Sequence, residues 1–281
     1  MTNLIINLAP TGNTPTKEKT PWVPLTPEAI IKDTLECAPL GVSMVHLHAR
    51  DDEGRHASDQ ATWTRILSGI REKRPELILV ASTSGRFFPD PEARTSVLYL
   101  PREVRPDMAS LTLGTLPFRD GVNVNNLDLI IRLLECMEAQ GIKPELEIFD
   151  LGMIHLAHYL IDKGHLRPPF YFNLILGHLF GSQPTLRHLG VLLPELPDDS
   201  CCCLGGIGFH QLTMNSTGIL FADGVRVGLE DSLWWDENKK ERADNYRLVE
   251  RIVHLAALRG RGIASTADVR RRLQLAAVRP R

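Results

Sequence analysis

The stretch Val42-Ser43-Met44-Val45-His46-Leu47-His48 is a short, mostly aliphatic run that ends in two histidines, which can bind a metal or transfer a proton. Similar runs occur along the whole chain, and helical patterns separate them. We place them near residues 3–9, 42–49, 76–83, 107–113, 144–150, 170–176, 201–206 and 224–229. Eight strands that alternate with helices are typical of a closed parallel barrel rather than an open sheet. The sequence therefore predicts an α/β fold, a (β/α)8 TIM barrel.

The ends of several helices can be located from the sequence. Thr26-Pro27-Glu28 combines a capping hydroxyl, a proline in the first turn and an acid at the positive end of the helix dipole. Residues 126–140 and 245–258 place apolar side chains at helical spacing. A last short helix at about 266–276 is predicted to lie outside the barrel. No linker interrupts the pattern, so residues 1–281 are predicted to form one catalytic domain.

Composition restricts the partners of this chain. The 281 residues include 32 Lys and Arg against 34 Asp and Glu, a net charge of −2. That balance gives no overall field to attract nucleic acid or an anionic membrane. No apolar run approaches the ~20 residues that span a bilayer, and residues 1–10 lack the features of a signal peptide. We expect a cytoplasmic protein without nucleic-acid or membrane partners.

The five cysteines do not form a pattern of their own. Cys37, Cys136 and the run Cys201-Cys202-Cys203 are odd in number and irregularly spaced, which argues against a disulfide framework. Neighbouring residues on a strand point to opposite faces, so the run cannot converge on one metal. The three cysteines of the run are predicted to be small apolar side chains in a buried strand.

A metal site is predicted at the mouth of the barrel. His46 and His48 share one face of the second strand, because side chains alternate with a period of two. Positions 226, 228 and 230 share a face of the eighth strand, which is separated from the second only by the first. Two imidazoles and the Glu230 carboxylate suit Zn²⁺ and leave a position open. The alternatives are a solvent-facing histidine pair and a plain ion pair between Arg226 and Glu230.

Further polar residues are expected near the same end of the barrel. Ser82 to Gly85 end the third strand, and Ser110 lies on the fourth. Their hydroxyls and backbone N–H groups can bind a carboxylate or an oxyanion. Capping of the barrel end is the alternative, since it uses the same residues. Glu145 and Glu147 share a face of the fifth strand, and the sequence assigns them no partners.

Seven groups of residues, which follow one another along nearly the whole chain, carry a resemblance to a known family: Ala9-Pro-Thr-Gly12 with Thr16-Lys17, Val45-His46-Leu-His48-Ala-Arg50-Asp51, Ser82-Thr83 with Gly85, Met108-Ala-Ser110-Leu, Pro144-Glu-Leu-Glu-Ile-Phe-Asp-Leu-Gly152, Gly206-Ile-Gly208 with His210-Gln211, and Val225-Arg-Val-Gly-Leu-Glu-Asp231. The ordered set resembles the β-keto acid cleavage enzymes, the family that includes 3-keto-5-aminohexanoate cleavage enzyme. The resemblance implies a (β/α)8 barrel, a homo-oligomer that is commonly a tetramer, and a divalent metal that is usually zinc.

The resemblance also implies roles for single residues. It makes His46, His48 and Glu230 the metal ligands and Arg226 with Asp231 the catalytic pair. The substrate contacts that we predict are Thr14, Ser82, Gly85 and Ser110. The implied reaction converts a β-keto acid and acetyl-CoA to acetoacetate and a new acyl-CoA by a retro-Claisen route, with zinc polarising the keto group. Residues that contact coenzyme A are not assigned.

Two of these implied roles depend on where the eighth strand ends. Asp231 would act as the general base, and Arg226 would support a carboxylate or a developing oxyanion. Adjacent side chains on a regular strand diverge, so Glu230 can be a ligand beside a catalytic Asp231 only if the strand ends at about Glu230.

The chain departs from the family pattern at residues that bear on the acyl substituent of the substrate. The loop that follows Leu176-Gly177 lacks the usual proline and paired glycines, and Thr112, Pro117 and Phe209 replace the usual asparagines and arginine. Thr14 lies where relatives that act on the amino-substituted substrate carry an acid. A threonine hydroxyl replaces little of the hydration of an ammonium group. We predict a neutral acyl substituent, and we rank a dicarboxylic substrate second, because Arg86 is expected to be solvated.

Other classes of function are compatible with parts of the pattern. Metal-dependent barrel hydrolases also use His-x-His, but on the first strand and with ligands from the fifth and sixth strands. A metal-dependent barrel aldolase and a non-catalytic keto-acid-binding paralogue are further alternatives. A requirement for coenzyme A separates them, because a hydrolase needs none and a binding protein shows no turnover.

Overall fold

Eight parallel strands form the centre of the described protein. The computed structural model describes residues 2–119 and 121–276. The strands form a closed barrel in the order β1-β10-β9-β8-β7-β4-β3-β2. Their bounds are β1 Ile5–Leu8, β2 Met44–Leu47, β3 Ile78–Ala81, β4 Met108–Thr112, β7 Lys143–Ile148, β8 Phe170–Leu176, β9 Ser200–Gly206 and β10 Gly224–Val227. A short antiparallel hairpin, β5 Leu116–Phe118 and β6 Gly121–Asn123, follows β4.

The predicted (β/α)8 barrel is confirmed, and each predicted run contains or overlaps one barrel strand. The hairpin β5–β6 was not predicted. The strand before the predicted metal ligand Glu230 ends earlier than expected, because β10 stops at Val227 and residues 229–231 form a turn. Of the predicted domain 1–281, residues 1, 120 and 277–281 lie outside the described residues.

Helices cover the outside of the barrel. Their bounds are α1 Pro27–Cys37, α2 Gln60–Lys73, α3 Pro91–Thr95, α4 Leu127–Gln140, α5 Leu151–Asp162, α6 Leu186–Leu192, α7 Gln211–Phe221, α8 Asn245–Leu258 and α9 Thr266–Arg272. The caps agree with the sequence: the Thr26 hydroxyl accepts from Ala29 N at 3.2 Å. Helix α4 ends at Gly141, which adopts a left-handed conformation with φ of 65°.

Helix α9 closes the amino-terminal end of the barrel. It ends at Arg272, four residues before the predicted limit of 276. Its side chains Val269 and Leu273 pack against inward-facing strand residues. Arg270 is buried and donates to Glu76 O at 2.8 Å and to Asp107 Oδ1 at 3.0 Å. The helix lies outside the barrel, as expected, but it also seals one end of it.

The three consecutive cysteines lie in a buried strand, as predicted. Cys201 and Cys203 face the barrel interior, and Cys202 packs with the helices outside. All five cysteines of the chain are within the described residues and are free. Burial raises the pKa of each thiol in the run, which keeps these side chains neutral.

Candidate active site

A cavity of about 510 Å³ lies at the carboxyl ends of the barrel strands. This is the end of such barrels where chemistry is normally found. Loops after most of the barrel strands contribute to its wall. The predicted site residues that line it are Thr14, His48, Ser82, Arg226, Glu230 and Asp231.

The three predicted metal ligands meet at the base of this cavity. His46 lies on β2 and His48 directly follows that strand, and their Nε2 atoms are 3.2 Å apart. Glu230 Oε1 lies 3.2 Å from His48 Nε2, and Glu230 Oε2 lies 3.7 Å from His46 Nε2. One ligand atom from each residue lies within 4.8 Å of the others. We call these three side chains the metal triad.

A turn, rather than strand alternation, brings Glu230 to the triad. Gly228 has a φ of 151°, and a Cβ there would overlap the backbone of Ala9. Only glycine fits such a close approach. Because the strand has already ended, Glu230 and its neighbour Asp231 both reach the cavity. The expectation that alternate residues through position 230 share a strand face is therefore wrong, since regular pairing stops at Val227.

The chemistry of the triad fits a zinc ion. Two imidazole nitrogens and one carboxylate are a common zinc donor set. Glu230 Oε2 is buried and has no hydrogen-bond partner within the described residues. A buried, unsatisfied carboxylate oxygen is costly unless a ligand or ion binds it. The residues present therefore suit a divalent cation.

The electrostatics of the two histidines differ. Burial lowers the pKa of His48, and the nearby Glu230 only partly offsets this. Burial also opposes protonation of His46, but the carboxylates of Glu145 and Glu230 outweigh it and raise its pKa to about 9.

Gly12, in the loop after β1, lies directly beneath Glu230. Its φ is 68°, and a Cβ there would overlap the Glu230 side chain. Arg50 Nη2 donates to Gly12 O at 2.6 Å and holds the loop in place. The position of the metal-triad acid thus depends on a residue 218 positions away in sequence.

We expect Gly12→Ala to lower zinc affinity as well as stability. A left-handed alanine costs about 1–2 kcal/mol by itself, and the new methyl group would push Glu230 away from the histidines. Gly141→Ala is the matched control, because Gly141 has a φ of 65° and nothing within 4 Å of its Cβ position. Chemical denaturation and zinc titration measure both effects. Equal zinc affinity in the two variants would contradict the proposed contact.

Arg226 connects the metal triad to other acids. Only 1% of this residue is exposed. Its Nη2 lies 2.8 Å from Glu230 Oε1, its Nε lies 2.9 Å from Asp231 Oδ2 and its Nη1 lies 3.2 Å from Glu147 Oε1. The sequence left an ion pair between Arg226 and Glu230 as an alternative to a metal site. This ion pair is present, and the metal triad is present with it. Gly205 leaves room for the arginine, since a Cβ there would lie 3.3 Å from that of Arg226.

Asp231 is the acid best suited to take up a proton. Burial raises its pKa to about 6, although its ion pair with Arg226 acts in the opposite direction. General bases work best when their pKa lies near the operating pH. Its carboxylate lies on the cavity wall and is bound by Arg226 Nε.

The four predicted substrate contacts occupy different places. Thr14 and Ser82 line the cavity. Gly85 is buried, and its N–H donates to Asn123 Oδ1 at 2.9 Å. Ser110 is also buried, and its Oγ accepts from Thr83 N at 3.4 Å. The geometry brings the first two to the substrate space, whereas the other two support the loop after β3.

Two polar residues near the site were not singled out from the sequence, and the partners of a third, Glu147, were not assigned. Asn7 and Asn173 interrupt apolar strands and point into the barrel, where both are fully buried. Glu147 accepts from Thr112 Oγ1 at 2.8 Å as well as from Arg226. An isolated amide within an aliphatic strand is the signal that would have identified Asn7 and Asn173, because buried amides need partners.

This arrangement defines the class of protein. A closed (β/α)8 barrel with acids, imidazoles and a buried arginine at its carboxyl-terminal mouth has the architecture of a barrel enzyme. Within the described residues, no helix is long and apolar enough to cross a lipid bilayer.

Comparison with known proteins then identifies the family. A family model described as beta-keto acid cleavage enzyme matches residues 3–275. The 3-keto-5-aminohexanoate cleavage enzyme of Acetoanaerobium sticklandii is 34% identical over 271 residues, covering 96% of this chain and 97% of that protein. The 3-oxoadipate:acetyl-CoA acetyltransferase of Cupriavidus necator is 34% identical over 275 residues, with 96% and 94% covered. The chain belongs to the beta-keto acid cleavage enzyme family, as its sequence resemblance predicted.

A solved structure supports the fold independently. The binary complex of ObcA with oxaloacetate matches with a TM-score of 0.78 at 22% identity, covering 92% of this chain and 68% of ObcA. At that level of identity the likeness establishes the barrel alone.

Proposed function

We propose that this protein transfers the acyl group of a β-keto acid to coenzyme A, using acetyl-CoA and releasing acetoacetate. A zinc ion held by His46, His48 and Glu230 would serve the reaction. The observation that carries the proposal is the metal triad beside the Arg226–Asp231 pair at the base of one cavity. The family, and the acetyl-CoA named for several relatives, support the reaction class.

The side chains of the site have separate tasks in this reaction. Asp231 takes a proton from the carbon between the keto group and the carboxylate, and this carbon attacks the thioester carbonyl of acetyl-CoA. The CoA thiolate that leaves adds to the keto carbon. The bond between the two substrate carbons then breaks, which gives the new acyl-CoA and the enolate of acetoacetate, and this enolate takes the proton back. Arg226 holds the Asp231 carboxylate in place and stabilises negative charge on the substrate. Bound zinc would polarise the keto oxygen and stabilise the enolate that departs in carbon–carbon cleavage.

Turnover that depends on acetyl-CoA is the direct test. The purified protein is mixed with a panel of β-keto acids, and acetoacetate and the new acyl-CoA are measured together. Equimolar formation of both products supports the proposal. Product formation without acetyl-CoA would indicate a hydrolase or an aldolase. Keto-acid binding without any turnover would indicate a non-catalytic paralogue. The homotetramer and the cytoplasmic location remain predictions from the family resemblance and composition.

The cavity wall near Thr14 indicates which acyl substituents fit. Arg86 Nη1 donates to Thr14 Oγ1 at 3.0 Å, and its guanidinium carbon lies 4.4 Å from the centre of the Phe118 ring. Arg86 is half-buried and lines the cavity, so it is less solvated than the sequence predicted. The hairpin β5–β6 causes the difference, because it carries Phe118 over the arginine.

We expect a substrate with an ammonium group on its acyl arm to be disfavoured. The acids that line the described part of the cavity wall are Glu147, Glu230 and Asp231, and all three are bound to Arg226. An ammonium group near Thr14 would meet the Arg86 guanidinium, which donates to the Thr14 hydroxyl. A penalty of about 1.4 kcal/mol is already a tenfold loss in specificity.

Values of kcat/KM for three substrates measure this preference: a 3-oxohexanoate-like acid, a keto-dicarboxylic acid and 3-keto-5-aminohexanoate. We expect the 5-amino compound to be at least about tenfold worse than the neutral one. The dicarboxylic acid remains second in rank. Thr14→Glu should raise the kcat/KM of the 5-amino compound relative to that of the neutral compound. A clear preference of the wild-type protein for the 5-amino compound would contradict the proposed selectivity.

A further inference from the structure

A fully buried carboxylate lies behind the metal triad, on the side away from its other ligands. Glu145 Oε2 is 2.6 Å from Nδ1 of His46, and the two side chains are 0% and 1% exposed. Glu145 belongs to β7 and His46 to β2, and these strands are separated by β3 and β4 in the barrel order. The contact therefore crosses the barrel interior.

A set of buried amides holds this carboxylate in place. Glu145 Oε1 accepts from Asn7 Nδ2 at 2.8 Å and from Asn173 Nδ2 at 2.6 Å. Asn7 also donates to Tyr171 Oη at 2.9 Å, and that hydroxyl lies 3.3 Å from Asn173 Oδ1. Strands β1, β7 and β8 thus contribute to one network with no exposed member. Three hydrogen bonds to its two oxygens fix the Glu145 carboxylate, whereas Asn7 Oδ1 has no hydrogen-bond partner within the described residues.

The hydrogen-bond pattern determines the state of the histidine. Glu145 Oε1 accepts hydrogen bonds from two amide groups, so this carboxylate acts as an acceptor in its hydrogen bonds to the asparagines. Its other oxygen then requires a proton on His46 Nδ1. With the proton on Nδ1, the Nε2 lone pair points towards His48 and Glu230.

We propose that Glu145 is a positioning residue for the metal site: it fixes the tautomer and ring orientation of His46, and so presents Nε2 to the metal. The inference rests on the proposed zinc site. Partners of this kind behind a ligating histidine change metal affinity by about 10- to 100-fold. Glu145 acts through His46 and does not touch the substrate cavity.

Direct coordination by Glu145 is the alternative. His46, Glu145 and Glu147 also place ligand atoms within 4.8 Å of one another. The contacts favour the positioning role, because both Glu145 oxygens are already occupied by the amides and by His46. Glu147 is likewise engaged by Thr112 and Arg226.

Glu145→Gln tests the inference, because glutamine cannot satisfy all these neighbours. If its oxygen accepts from His46, its NH₂ group faces the donors of Asn7 and Asn173. If its NH₂ group faces His46, it enforces the opposite tautomer. We expect the zinc dissociation constant of the folded variant, measured by competition with a chromophoric chelator, to rise about 10- to 100-fold. The nitrogen NMR shifts of His46 should show a larger share of the tautomer with its proton on Nε2 than in the wild type.

Tyr171→Phe is the matched control, since it alters the same buried network and leaves the three contacts of Glu145 intact. We expect its zinc affinity and its His46 shifts to match those of the wild type. Asn173→Ala, which removes one donor to Glu145, gives a second variant if Glu145→Gln does not fold. It should weaken zinc binding more than Tyr171→Phe does.

The outcomes separate the inference from the proposed function. In one outcome, His48→Ala loses zinc, whereas Glu145→Gln keeps the zinc affinity and the His46 NMR shifts of the wild type. That outcome would overturn the positioning role and leave the metal site intact. Full zinc binding in His48→Ala would overturn the metal site itself. In a third outcome, Glu145→Gln and Glu147→Gln each lose as much zinc as His48→Ala does. Glu145 would then be a metal ligand, which also overturns the positioning role.

Discussion

Replacing Asp231 by asparagine is expected to leave zinc bound and to lower turnover by about 10²- to 10⁴-fold, the usual contribution of a general base. Asparagine has almost the same shape, but its amide cannot take up the proton. Arg226 would keep its contacts with Glu147 and Glu230, so the site should remain assembled. The measurement is kcat with acetyl-CoA and the preferred keto acid, together with metal analysis of the same sample.

Glu230→Gln provides the contrasting variant for this prediction. Like Asp231→Asn, it replaces a carboxylate by an amide of nearly the same shape. We expect its main effect to be weaker zinc binding, because Glu230 is a member of the metal triad. Added zinc should then restore part of the activity of Glu230→Gln and none of the activity of Asp231→Asn. If both variants turn over at near-normal rates in saturating zinc, the proposed division of roles fails.

The second large effect is expected from the histidines. The double variant His46→Ala/His48→Ala should lose nearly all of its zinc after dialysis, because a single carboxylate does not hold Zn²⁺ in an open site. Each single variant should lose most of it. Elemental analysis of protein and metal gives the ratio directly.

His178→Ala is the control for this experiment. His178 lines the same cavity, but it packs edge-on against Phe118 and Phe149 and is not part of the metal triad. It should retain a full complement of zinc. A double variant that binds zinc as well as this control does would disprove the metal assignment.

The sequence predicted the barrel well because its signals are local. Each strand is a short buried run, and the caps Thr26 and Gly141 mark helix ends through their own side-chain and backbone preferences. The hairpin β5–β6 could not be seen, because strands of three residues are too short to show a period. Its absence from the prediction also led to the wrong environment for Arg86.

The candidate site was predictable only in part. Alternation along β2 was enough to pair His46 with His48. The joint approach of Glu230 and Asp231 depends on a turn after Gly228, and alternation contains no information on that turn. The contact between His46 and Glu145 depends on the stagger of strands that do not pair with each other. Such cross-barrel contacts are set by tertiary geometry, which the order of residues does not reveal directly.

If the proposed metal and substrate sites are correct, Gly12 couples changes in substrate choice to changes in metal binding. Gly12 lies against the metal-triad acid, and Thr14, two residues later, lines the cavity where the acyl arm of the proposed substrate would bind. A substitution that reshapes this loop for a new acyl group will also shift the acid above it. Effects of changes at positions 13–15 and at Glu230 should therefore be non-additive, as they are for neighbouring residues in general. Lineages that acquire new substrates would need compensating changes in the turn after β10.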